Sequence, residues 1–151
     1  MRIESAVILG FVVAGCASVR PGSALAQDPC AQPQVAQLAS QARSLVQQKK
    51  FVEAEPPARQ ALATCATHPD GAHALGGSLV GQKRFDDAIA AMSGVIAAKP
   101  DVAYAYLWRG HAYYNKKQPD KMIADFETFL RLAPNAPEAA SVRQLLAGLK
   151  R

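Results

Sequence analysis

Residues 85–100 read FDDAIAAMSGVIAAKP. Taken alone, the stretch is an amphipathic helix running into a proline. Ile89, Met92 and Ile96 recur at helical spacing, and Asp86-Asp87 sit in the first turn, where a helix favours acids. What decides the fold is that this skeleton is repeated. At an offset of 34 residues Phe85 is matched by Phe51, Ala88 by Ala54, and Pro100 by Pro134. The same offset superposes Leu45, Leu79 and Tyr113, and then Ala42, Gly76 and Gly110. It also places Met92 on Phe126 and Ile96 on Leu130. Leu38, Leu62, Leu75, Ile123 and Leu130 complete the apolar stripes, which read as core. A two-helix unit with stripes on both sides cannot cover itself, so such units stack.

The rest of the composition agrees with helices. Half of the 151 residues are hydrophobic but only 7% are aromatic, which suits helices better than a β-sandwich. The 17 basic and 12 acidic residues leave a net charge of +5, with the basic residues spread along the chain. That pattern speaks against a nucleic-acid partner, which asks for a dense basic stripe.

The opening MRIESAVILGFVVAGCASVRPGSALAQ is read as an export leader over residues 1–26. A short polar start with Arg2 precedes the apolar run Ala6–Ala14, Pro21-Gly22 break the helix, and Ala24-Leu25-Ala26 is a small-x-small cleavage pattern. The apolar run is short of the roughly 20 residues of a membrane span. Val13-Ala14-Gly15-Cys16 offers a second cleavage, with lipidation of Cys16. Both place the chain in the periplasm or cell envelope. Soluble export is preferred, and a lipid anchor is the alternative.

The period and the matched positions resemble tetratricopeptide repeats over residues 35–136, in copies 35–68, 69–102 and 103–136. The third copy carries the clearest match, with Tyr106, Gly110, Tyr113, Phe126 and Pro134 at the family's positions and Met122 where the family prefers Ala. The second keeps Leu75-Gly76, Leu79, Phe85, Ala88 and Pro100 but has Ala72 at the aromatic slot. The first has Ala58 and Ala66 in place of the aromatic and the proline. The resemblance implies an all-α solenoid of three helical hairpins. Residues 27–34 are then an N-terminal arm, and 137–151 a capping helix whose Val142, Leu145, Leu146 and Leu149 lid the third hairpin. Small residues at 42, 76 and 110 would let the two helices of each hairpin approach closely. Glu55-Pro56-Pro57 falls inside the second helix of copy one, so that helix is expected to begin late or kink. In an antiparallel hairpin the start of the first helix and the end of the second are neighbours. Cys30 and Cys65, the pair left once Cys16 is set aside, could therefore form a disulfide in an oxidising compartment.

No phosphate loop, GxSxG or HExxH motif is present, and no catalytic residue, metal site or cofactor is inferred. His73 and His111, on adjacent first helices, could approach one another, but no further ligand completes a metal site. What the resemblance implies instead is a concave groove lined by the first helices. Projected here, it takes Arg43 and Gln47, then His73, Gly77 and Val80, then Tyr104, Leu107, His111, Tyr114 and Asn115, with Trp108 beside them. The family's carboxylate clamp is missing: Ala39, Arg43, Ala74, Tyr104 and Trp108 hold its positions. Lys49-Lys50, Lys83-Arg84 and Lys116-Lys117 recur at the turn within each hairpin and would line one basic edge. The function expected is a non-catalytic adaptor of the bacterial cell envelope that binds a protein or peptide partner in the groove. A structural lipoprotein touching membrane or cell wall through the basic edge, and a regulatory subunit of an enzyme or secretion complex, stand as alternatives. The oligomeric state is left open.

Overall fold

The computed structural model describes residues 28–149; the expected leader 1–26, its cleavage motif and Cys16 lie outside them. Among the described residues there are seven α-helices and no strand: α1 Pro33–Gln47, α2 Phe51–Thr64, α3 Pro69–Gly81, α4 Phe85–Ala98, α5 Ala103–Asn115, α6 Pro119–Leu132 and α7 Ala139–Leu149. A single 3-10 turn, Pro29–Ala31, precedes them. The helices pair as α1–α2, α3–α4 and α5–α6, and the first helices of adjacent pairs pack on one another, α1 on α3 and α3 on α5. The fold is thus an all-α solenoid of helical hairpins.

Three-residue turns join the helices of each pair, and all three turns use the same device. The residue after the C-cap is left-handed in each: Lys49 at φ 60°, Lys83 at 61° and Lys117 at 57°. Lys49 N–H then donates to Val46 O and Lys50 N–H to Leu45 O, closing the free carbonyls of α1. Lys83 and Arg84 do the same to Val80 and Leu79, and Lys117 and Gln118 to Tyr114 and Tyr113. The conformation normally belongs to glycine, because a Cβ costs about 1–2 kcal/mol there.

The core changes character along the stack. Between α1 and α2 the fully buried residues are Val35 at 1% exposure and five alanines, Ala39, Ala42, Ala54, Ala58 and Ala61, at 0%. Alanine faces let helices come close but remove little apolar area from water. Around α5 and α6 the core is Leu107, Met122, Phe126 and Phe129, each at 0–1% exposure. A bidentate ion pair adds to it: Arg109 donates to both oxygens of Asp125 at 2.8 Å and to Ser93 Oγ at 3.1 Å, tying α4, α5 and α6 together. The alanine end is where the Cys30–Cys65 disulfide lies, with a sequence separation of 35. It joins the segment before α1 to the residue that ends α2.

Two expectations need correction. The first is the late start of α2, which instead begins at Phe51 and carries Pro56 and Pro57 inside it. Those prolines leave the carbonyls of Val52 and Glu53 without their helical donors, at two residues that are exposed to solvent. The helix start is also held from outside. Ser78 Oγ donates to Phe51 O at 2.6 Å and Gln82 Nε2 at 3.3 Å, while the Phe51 ring lies where a Cβ on Gly81 would be. The second is the role of Gly76. Gly110 meets the Phe126 ring of its own hairpin as expected, but the space over Gly76 is filled by Trp108 from the next repeat, 2.4 Å from an ideal Cβ.

Two outcomes follow from these features. Replacing both Cys30 and Cys65 with Ser should lower unfolding free energy by about 3–4 kcal/mol, from the loop that the bond closes; chemical denaturation of the non-reduced protein and of the variant measures it. Lys83→Gly should raise stability by about 0.5–1 kcal/mol, as the relief of left-handed strain outweighs the added freedom of glycine in the unfolded chain, read as a shift in denaturation midpoint at unchanged slope.

Candidate functional site

The groove residues projected from the sequence separate into a covered set and an open set. On α1, Arg43 is half-buried and its Nη1 donates to Asp70 Oδ1 of α3 at 2.7 Å, while Gln47 is exposed. On α3, Gly77 is buried and Val80 half-buried. A Cβ on Gly77 would lie 3.0 Å from both Trp108 Cζ2 and Val46 Cγ1. Trp108 is therefore seated against α3 and does not project as a binding anchor. On α5, Leu107 is fully buried, Tyr104 and His111 are half-buried, and Tyr114 and Asn115 are exposed.

What covers the middle of this face is α7. The capping helix opens at Ala139, two residues later than expected, and more than lids the third hairpin. Ala139 and Val142 join the Leu107, Phe126 and Phe129 core, while Val142 and Leu145 face His111 across a small cavity. Glu138, from the link 133–138, reaches as far as the second repeat: His73 Nε2 is 3.2 Å from its Oε1.

His73 stands at the centre of a chain of rings. Its edge meets Tyr104 at 4.4 Å and Trp108 at 5.5 Å between centroids, Trp108 lies 5.3 Å from His111, and His111 meets Phe126 at 5.1 Å. The Trp108 indole thus stands between the two histidines that the sequence placed on neighbouring helices. Among the described residues no group of three His, Cys, Asp or Glu could hold a metal ion. Burial pushes the His73 imidazolium below its ordinary pKa, partly offset by the hydrogen bond to Glu138. Burial likewise lowers His111, with Glu138 opposing it weakly, and raises the Tyr104 phenol. Neutral His73 with its proton on Nε2 donates to Glu138. Its Nδ1, Trp108 Nε1 and Glu138 Oε2 are all buried without a protein hydrogen-bond partner among the described residues. Such atoms cost about 1–3 kcal/mol each.

Beyond α7 the face opens again. Tyr114 and Asn115 border a concavity of about 570 Å³ whose other walls include Pro119, Met122 and Leu149. Its two flanking apolar side chains are unusually open, Tyr114 at 51% and Leu149 at 49% exposure. Glu138, Asp70 and Leu149 are site residues that sequence reasoning missed. The stripe Ala139, Val142, Leu145–Leu146, Leu149 and the acid before it were visible, but the direction in which α7 leaves its link was not.

The basic edge is partly neutralised. Arg84 pairs with Glu55 and Asp87, Lys116 with Asp86, and Lys50 lies 4.0 Å from Glu53. Lys49, Lys83 and Lys117, the three left-handed residues, have no ion-pair partner among the described residues.

A tetratricopeptide-repeat family model matches residues 75–147, from the middle of α3 through α7. Over these residues the chain belongs to the tetratricopeptide-repeat family. No curated protein sequence matches it. Among solved structures, the first such domain of Spaghetti (RPAP3) bound to the HSP90 peptide SRMEEVD is 21% identical with a TM-score of 0.62, covering 78% of this chain and 94% of that one. The NMR structure of the first such domain of human RPAP3 gives 21%, 0.62, 76% and 94%. The type III secretion translocator chaperone SycD of Yersinia enterocolitica gives 16%, 0.67, 79% and 93%. At these identities the likeness is one of fold. Ala39 and Ala74, two of the residues that the sequence projects onto a carboxylate clamp, are fully buried.

The depressed histidines give a pH dependence with a definite sign. The folded state binds protons at His73 and His111 less readily than the unfolded chain, so their contribution is complete above about pH 6.5 and is lost as pH falls towards the folded values. The groups facing them are Glu138, Arg43, Asp70 and the neutral Tyr104. The melting temperature should therefore drop between pH 7 and 5, and His73→Gln should flatten but not abolish the slope, since His111 remains. A slope unchanged by the substitution would contradict the assignment.

Proposed function

We propose that this repeat protein is a non-catalytic adaptor, exported to a bacterial cell envelope, that holds a protein or peptide partner on the concave side of its second and third repeats. The observation that carries the reading is the open concavity between Tyr114 and Leu149. Two half-exposed apolar side chains frame a recess large enough for a partner's apolar side chain, beside the polar amide of Asn115. Tyrosine is a frequent anchor in interfaces, because it brings large contact area and a hydroxyl at small entropic cost. Structures of the same fold are a peptide complex and a secretion chaperone, which supports a protein partner without choosing one. Export is supported by the leader pattern in residues 1–26 and by the Cys30–Cys65 bond, which persists in an oxidising space.

In-cell crosslinking from a photoreactive residue at position 115, followed by mass spectrometry of the envelope fraction, tests this. A discrete protein should be captured. Tyr114→Ser should reduce capture about tenfold, as loss of one anchor does, with an unchanged circular dichroism spectrum. Capture indifferent to Tyr114, or a protein found in the cytoplasm, would overturn the reading.

A further inference from the structure

Helix α7 occupies the face that the first helices present, and its fit there is poor. A permanent end cap should bury its stripe, since that is what capping a solenoid requires. Here only Ala139 and Val142 are buried; Leu145 and Leu146 stay half-buried and Leu149 is half-exposed. The backbone of α7 runs beside α6 and stands off from α5. A gap of about 150 Å³ remains between α7 and His111. The six-residue link 133–138 contains no helix, and the acid that tethers α7 comes from that link.

The polar atoms tell the same story. Glu138 gives one carboxylate oxygen to His73, while its second oxygen, the other nitrogen of that ring and the Trp108 indole nitrogen are buried without partners. Most buried polar groups in native proteins find a partner, and here three without a protein partner fall in one cluster, beside the gap between α7 and His111.

Resting on the adaptor reading, we propose that Glu138 and α7 are an intramolecular occupant that a partner replaces. The partner's chemistry is read from the occupant: an amphipathic helix with a carboxylate just ahead of its apolar stripe. The carboxylate accepts a hydrogen bond from His73 Nε2–H, and the stripe takes the place of Ala139, Val142 and Leu145 against Leu107 and the His111 side. Tyr114 then lies at the far end of the same docking line, and displacement of α7, Leu149 included, joins the recess beside Tyr114 to the vacated face as a continuous groove.

The test needs no identified partner. Native-state hydrogen exchange on the whole protein should show the α7 amides opening while α3, α5 and α6 stay protected. Glu138→Gln should raise that opening about tenfold, the worth of a hydrogen bond to a charged group. Trp108 is the single tryptophan, so its indole N–H signal reports the site directly. In the Glu138→Gln protein, a synthetic peptide of residues 135–149 should shift that signal saturably, and the same peptide carrying Glu138→Gln should bind about tenfold more weakly. Exchange of α7 only through global unfolding would make it a fixed cap and end the proposal. Equal binding of both peptides would remove the carboxylate from it. A concentration-dependent dimer that swaps α7 would replace the partner helix by a second copy of this chain. None of these readouts involves position 114 or 115, so the proposal can fail while crosslinking from position 115 succeeds, and the reverse.

Discussion

Helix α3 has no solvent face. From Gly71 to Leu79 nine consecutive residues are buried, because α1 and α2 close on one side and α4 and α5 on the other. A helix so enclosed can carry large side chains only where its neighbours are small, and the contact between Trp108 and Gly76 is where that condition is tightest. A methyl group on residue 76 would coincide with the indole, and interiors packed this closely have no slack to absorb it. The stacking of repeat three on repeat two is therefore set by an absent side chain. The enclosure also dictates what happens to polar groups on α3. Ser78 is satisfied by the carbonyl of Phe51, which in turn fixes the start of α2. His73, five residues away on the opposite flank, has no backbone acceptor to turn to and is met by Glu138. The position of the last helix is thus coupled, through one imidazole, to the burial of the central one.

The stack is built unequally, and the inequality follows the division between support and site. The first hairpin meets along alanines, which contribute little apolar area, and it is the hairpin that a disulfide closes. The third carries the buried Phe126 and Phe129, the Arg109–Asp125 pair and the single tryptophan. Stability in repeat arrays is a sum of units and of interfaces between neighbours. A clasp on the weak terminal unit therefore limits fraying without touching the aromatic end, where the candidate groove lies. The rigid and the adaptable parts of the molecule are kept apart.

The repeat was legible because it is written in small and large residues at one fixed offset. The ends of α1, α3 and α5, the starts of α2, α4 and α6 and the three left-handed lysines all fall 34 residues apart. Two prolines in α2 looked like a barrier because propensity was weighed without tertiary support; the carbonyls they orphan belong to exposed residues, and Ser78 and Gln82 hold the helix start through Phe51 O. Gly76 was given the wrong neighbour because a glycine announces a close approach but not by which helix. Repeat two has Met92 where repeat three has Phe126, and the space left beside α3 is filled from α5 instead. The path of α7 was out of reach, since a six-residue link with Pro134 and Pro137 fixes neither the angle nor the face on which the following helix lands.

The electrostatics of the concave face distinguish it from a site that captures acids by charge. The chain is basic overall at +5, yet the arginines of this face are already paired, and Lys117 at the rim of the concavity is the cation left without an ion-pair partner among the described residues. Arg43 is bound to Asp70 and Arg109 to Asp125, and on the adjoining edge Arg84 and Lys116 are paired. The group offered to a carboxylate is His73, whose positive form burial disfavours. A neutral imidazole provides one directional donor and almost no long-range field, so recognition here depends on placing a carboxyl oxygen at Nε2 and filling the aromatic walls around it. Such a surface discriminates by shape at contact rather than by attraction at a distance. That suits a groove whose present occupant arrives along the same chain, where diffusional steering has no part to play.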